Sequence, residues 1–80
     1  VLPFEAFSDV ALIKTYNTDA QVADSAGTMA AIMTGQKTRM GFINVAASVS
    51  RNDCAGALAN EVPSLLQMAE QAGLATGIVS

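Results

Sequence analysis

Asp24-Ser25-Ala26-Gly27-Thr28-Met29-Ala30-Ala31-Ile32-Met33-Thr34-Gly35 is the stretch on which the reading of this chain turns. An acid followed by a serine opens a run of good helix formers, and the run stops on a glycine. The spacing predicts a helix over 25–34, with Ala26, Met29, Ala30 and Met33 on one buried stripe at i, i+3, i+4 and i+7. Gly35 follows as the residue that takes a left-handed backbone at little cost. A serine at such a start aims its hydroxyl and several unpaired backbone N–H groups at one point, which suits binding and attack of a phosphoryl group. Taken alone, the same pair more often does no more than cap a helix.

Upstream, Val10-Ala11-Leu12-Ile13 and Lys14-Thr15-Tyr16 read as a strand, entered by a loop over 1–9 that contains Pro3. Residues 17–21 carry turn chemistry and lead into the Asp24-Ser25 corner. Downstream, residues 36–44 read as an extended loop with Phe42 and Ile43 tucked inward. Residues 45–49 are a short strand or small residues packed under a loop, and Arg51 to Gly56 is a turn. A second helix is expected over 61–72, with Asn60 as its cap and Pro63 in its first turn. Its apolar face is Val62, Leu65, Leu66 and Ala69. Gly73 ends it, and Leu74 to Val79 is a continuous apolar strand of the kind buried on both faces of a parallel sheet. Strand, helix, helix, strand fits an α/β sandwich.

Composition narrows the function. Of 80 residues 51% are hydrophobic but only 5% aromatic, an unusual balance for a self-sufficient small fold. The chain therefore reads as an internal piece of a larger protein. A net charge of −3 with scattered Lys14, Lys37, Arg39 and Arg51 argues against a nucleic-acid partner. No apolar run approaches bilayer length, and no signal peptide is visible. The chain has no histidine, so a serine–histidine pair cannot be built from it. The Gly-x-Ser-x-Gly elbow and the Gly-rich Walker loop are absent as well. Metal activation of Ser25 remains, in the paired-metal scheme for in-line displacement.

The run from Lys14 through Tyr16-Asn17-Thr18-Asp19 to Asp24-Ser25-Ala26-Gly27-Thr28 closely resembles the nucleophile segment of the alkaline phosphatases. Asn60-Glu61-Val62 and Ala72-Gly73-Leu74-Ala75-Thr76-Gly77-Ile78-Val79-Ser80 resemble that family's next helix and strand. The Met- and Ala-rich wording after Ser25 is more similar to the bacterial branch. The resemblance implies an α/β fold, part of a three-layer α/β/α sandwich with a central, mostly parallel sheet. Residues 1–80 would be an internal fragment of one such catalytic domain. It implies hydrolysis of phosphate monoesters through a phosphoserine on Ser25, with two zinc ions and one magnesium. Ser25 would be both nucleophile and zinc contact, through its oxygen. Asp24 would support the site from behind, orienting the family's phosphate-binding arginine, which lies beyond Ser80. The backbone N–H of Ser25 and of Ala26 would hold phosphate oxygens, while Thr28 caps or packs within the helix. A periplasmic or secreted location and a homodimer are also implied.

Two departures from the family stand out. Ala23 occupies a position where the family often has proline, and the histidine and carboxylate metal ligands fall outside these residues. An isolated chain of this sequence is therefore expected to be inactive, because a zinc site needs three or four protein ligands. Cys54 is either a reduced structural thiol or, in an exported protein, pairs with a cysteine beyond the segment. Asp9 and Asp19 read as turn or surface residues, Glu61 as a charge favouring a helix N-terminus, and Arg39 and Arg51 as surface charges. Met29, Met33, Met40 and Met68 read as core filler. The contrasting function is a non-catalytic α/β interaction module in which Ser25 only caps its helix. A related metal-dependent phosphodiesterase or sulfatase lies between the two.

Overall fold

The computed structural model describes residues 1–80. Its elements are a 3-10 turn over Pro3–Ala6 and three α-helices: α1 Ser25–Thr34, α2 Cys54–Ala59 and α3 Leu65–Gln71. The α1 helix has the expected bounds, for identifiable reasons. Asp24 is extended at φ −99 and ψ 171, and its side chain accepts the Gly27 N–H. At the far end Gly35 turns left-handed at φ 75 and donates its N–H to the Ala31 carbonyl.

The second helix differs from expectation at its start. Asn60 does not cap it, and Glu61 and Val62 lie outside it. Glu61 forms an antiparallel bridge with Val45, framed by Ala46 N–H to Asn60 O and Val62 N–H to Asn44 O, both 2.9 Å. Those pairings hold residues 60–62 against the 44–46 loop, so the helix starts only after Pro63. Ser64 caps α3 instead, its hydroxyl accepting the Gln67 N–H at 3.2 Å. Ser64-Leu65-Leu66-Gln67 carries the capping-box spacing that marks this start in the sequence. Glu61, consequently, is not at a helix N-terminus.

The expected turn over 51–56 is only half a turn. Its second half is the first turn of α2, capped by Asp53, whose carboxylate accepts the Gly56 N–H at 2.9 Å. Over 45–49 the single Val45 bridge is the only pairing, and Val49 is buried, so small-residue packing is the better description.

Neither expected strand is paired. Residues 10–16 and 74–79 have no ladder, and Val10, Leu12, Ile13, Ile78 and Val79 are exposed. A strand exists by pairing with a neighbour, and no backbone partner lies alongside either stretch within these eighty residues. The stripe on α1 is changed for the same reason. Gly27 and Ala30 are buried and Ala26 and Met33 half-buried, but Met29 stays 56% exposed, because α3 is the only helix that packs against α1. Leu65 on α3 and Ile43 in the loop are exposed as well, while Phe42 is half-buried. Met68 is also exposed, so Met29 and Met68 are not core filler here.

Only 6 of 80 residues are buried, and Ala30 and Val49 are the sole large-enough apolar contributors. Two small side chains cannot offset the conformational entropy of ordering eighty residues. A polypeptide of these residues alone is therefore expected to bind a hydrophobic dye and to melt without a cooperative transition. A sharp two-state melt by circular dichroism would contradict this.

Candidate functional site

The site grows from the Asp24 carboxylate. Its Oδ1 accepts the Gly27 N–H at 3.0 Å and the Asn17 side-chain amide at 2.9 Å, and its Oδ2 accepts the Gly41 N–H at 2.7 Å. Three parts of the chain thus meet on one side chain: the turn at 17–20, the start of α1 and the loop after it. The hydrogen bond from Asn17 is the largest influence holding the Asp24 carboxyl below the usual carboxylate range, assisted by the Gly27 and Gly41 N–H groups and opposed by partial desolvation.

Ser25, the first residue of α1, is exposed. Its hydroxyl makes no hydrogen bond within the chain, and its N–H and that of Ala26 donate to nothing. Asp24 supplies the cap, so Ser25 is not needed for it. What results is a free hydroxyl beside two free N–H groups at the positive end of a helix, an arrangement that receives an anion. Asp24 accepts from three backbone and side-chain donors and makes no hydrogen bond to the Ser25 hydroxyl.

The Thr28 hydroxyl bonds back to the Asp24 carbonyl at 2.8 Å, closing the first turn from inside. Gly27 is glycine for a reason of space: any Cβ there would lie within the Asn17 amide. That close approach lets Asn17 reach Asp24.

Asn17, Gly27 and Gly41 are the residues that sequence reasoning missed. Gly27 stood in the quoted motif without a role, Asn17 read as turn chemistry, and no local signal connects Gly41 to Asp24 across 17 positions. Three charged residues expected at the surface also act as ties. Asp19 accepts the Met40 N–H at 2.8 Å, Arg39 donates to the Ala47 carbonyl at 2.7 Å, and Arg51 donates to the Met40 carbonyl at 3.1 Å. Asp9 is exposed, as expected, and meets only its neighbour Ser8. Cys54, the one cysteine of these residues, is exposed at the start of α2 and has no disulfide partner among them.

No group of three or more His, Cys, Asp or Glu side chains is placed to hold a metal ion. Ser25 fits the part of a single ligand oxygen, being exposed and unpartnered, while Asp24 already accepts three hydrogen bonds. No helix is long and apolar enough to cross a membrane.

A family model described as alkaline phosphatase matches residues 1–80. The human tissue-nonspecific isozyme of alkaline phosphatase is 47% identical over 79 residues, covering 99% of this chain and 15% of the relative. The chicken tissue-nonspecific isozyme is 46% identical over 80 residues, covering 100% and 15%. An alkaline phosphatase of Gadus morhua is 47% identical over 79 residues, covering 99% and 17%. The chain thus spans about 15% of the length of the curated relatives it matches. These relatives support the family without distinguishing its branches.

Two predictions test the geometry in the full-length protein. Gly-to-Ala inside a helix ordinarily stabilises by about 0.5–1 kcal/mol. At Gly27 the sign should reverse, because the added methyl displaces Asn17, and a raised Tm for Gly27→Ala would refute the packing described. The depressed Asp24 carboxyl sets a direction with pH. Its stabilising contribution is present above the ordinary value of 3.8 and is lost as pH falls through the lower folded value. The difference in unfolding free energy between the parent and Asp24→Ala should therefore shrink as the solution is acidified below that range.

Proposed function

The chain belongs to the alkaline phosphatase family, and from that premise we propose that Ser25 is the nucleophile of a phosphate monoesterase. The observation that carries this reading is the division of labour at the start of α1. Asp24 caps the helix, and the Ser25 hydroxyl is left exposed with no internal partner. A serine present only as a cap would occupy the capping position, which Asp24 holds.

In the proposed reaction, Ser25 Oγ attacks the phosphorus of a monoester as the ester alcohol departs in line, leaving a phosphoserine. Water then attacks that phosphorus, releasing inorganic phosphate and restoring the hydroxyl. The free N–H groups of Ser25 and Ala26 meet the phosphoryl oxygens, where they gain strength as charge spreads over the transferring group. Asp24 keeps these groups in place. Its Oδ2 accepts one hydrogen bond here and has capacity for another, so an arginine from elsewhere in the domain can be oriented against it.

Two zinc ions and one magnesium are proposed for the complete site, with Ser25 Oγ the one zinc ligand from these residues. When bound, the zinc pair supplies the Lewis acidity that lowers the serine pKa and stabilises the leaving oxygen. The remaining ligands come from outside residues 1–80, and these residues alone are expected to be inactive. The larger unit proposed is a three-layer α/β/α domain in which residues 10–16 and 74–79 become strands of a mostly parallel sheet. The unpaired, exposed apolar residues of both stretches support that placement. Export to the periplasm or medium and a homodimer belong to the same reading.

The test is hydrolysis of a chromogenic phosphate monoester at alkaline pH by the full-length protein with zinc and magnesium. Ser25→Ala should reduce turnover by several orders of magnitude, as should a chelator. Its stability should fall by no more than about 0.5 kcal/mol, since the cap is intact. A loss nearer the ~1 kcal/mol of a missing cap, with full turnover retained, would return Ser25 to a structural role.

A further inference from the structure

Asn17 begins a turn that reverses the chain, yet it is among the most buried residues of the molecule at 4% exposed. Its backbone bridges Ala20 in both directions, at 3.0 and 3.4 Å. The neighbouring Thr18 N–H reaches the Thr38 carbonyl at 3.0 Å. On the other side, the Lys37 ammonium lies 4.0 Å from the centre of the Tyr16 ring and donates to the Lys14 and Tyr16 carbonyls. The backbone of Asn17 is thus held from both sides. Its side chain lies against Gly27, where no Cβ fits, and its Nδ2 meets Asp24 Oδ1 at 2.9 Å.

We propose that Asn17 is a positioning residue for phosphoryl transfer: by donating to Asp24 it fixes the cap that aims the Ser25 hydroxyl and the first-turn N–H groups. This inference rests on the reading of Ser25 as nucleophile. Asp24 Oδ1 is shared between Gly27 and Asn17 while Oδ2 takes the Gly41 N–H, so donors on both oxygens, from three stretches of chain, hold the carboxylate in place. Without Asn17, the carboxylate keeps Gly27 and Gly41 but loses its one tie to the 17–20 turn, and the start of α1 can tilt away from that turn. Ser25 directly follows Asp24, so a tilt displaces the reacting oxygen. Displacement near 1 Å at a reacting atom costs on the order of a hundredfold in rate. The first-turn N–H groups move with the oxygen, but they act most strongly as charge spreads over the transferring group, so the loss falls mainly on kcat rather than KM.

A packing role and a positioning role separate at Asn17→Asp. Aspartate matches asparagine in shape but offers Asp24 an acceptor in place of a donor. The experiment measures kcat and KM for a chromogenic phosphate monoester in the full-length enzyme. The variants are Asn17→Ala, Asn17→Asp, Asp24→Ala, the Asn17→Ala/Asp24→Ala double variant, and Ser25→Ala as reference. Both Asn17 variants should lose about ten- to hundredfold in kcat, with KM changed by less than about threefold. Asn17→Ala should cost nothing further once Asp24 is alanine, because the pair acts as one unit. Full kcat in Asn17→Asp, or the same factor lost again in the Asp24→Ala background, would overturn the proposal. Should one Asn17 variant fail to fold, the other decides. An inactive Ser25→Ala beside unimpaired Asn17 variants removes this inference and leaves the nucleophile reading intact. Full turnover in Ser25→Ala removes both.

Discussion

The Asp24 carboxylate is the point on which the packing around α1 depends. It is the only side chain that receives donors from three separate stretches: Asn17 before α1, Gly27 within it and Gly41 after it. An ionised carboxylate suits this work, because two oxygens accept several bonds at once and each bond to a charged acceptor is stronger than a neutral one. The residues around it are chosen to let the donors approach. Glycine at 27 leaves room for the Asn17 amide, and Thr28 folds its hydroxyl back to the Asp24 carbonyl.

The same arrangement separates structure from chemistry. Asp24 does the structural task that a helix start imposes, which frees its neighbour Ser25 from it. Ser25 keeps an exposed hydroxyl and two unpaired N–H groups beside it. That local order contrasts with the rest of the chain, where loops are tied by single charged side chains rather than by a core. Lys37, Arg39, Arg51 and Asp19 each bond to a backbone group of a distant segment. Such ties define loop geometry cheaply but remove little apolar surface from water, and Leu12, Ile13, Ile32 and Val79 remain exposed.

Where the reading of the sequence and the structure diverge, the cause is contact across distance. The α1 bounds were legible because cap, helix formers and glycine stop are adjacent in the chain. The α3 start lies four residues later than expected, because residues 60–62 pair with 44–46, although Ser64 and Gln67 mark the true start locally. The α2 start was hidden in what looked like a turn, because Asp53 serves both as turn residue and as cap. Residues 10–16 and 74–79 have the composition of buried strands, and nothing in these eighty residues pairs with them.

By itself the sequence determined the nucleophile candidate, its place at the start of a helix and the family likeness. Each of these depends on residues close together in the chain or on wording that survives without coordinates. It also shows that none of these eighty residues is a histidine that could pair with Ser25. Only the tertiary structure decided that Asn17 and Gly41 complete the partners of the Asp24 carboxylate. The physical reason is that a hydrogen bond records distance in space. Gly41 lies 17 residues from Asp24 in sequence and 2.7 Å from it in the fold.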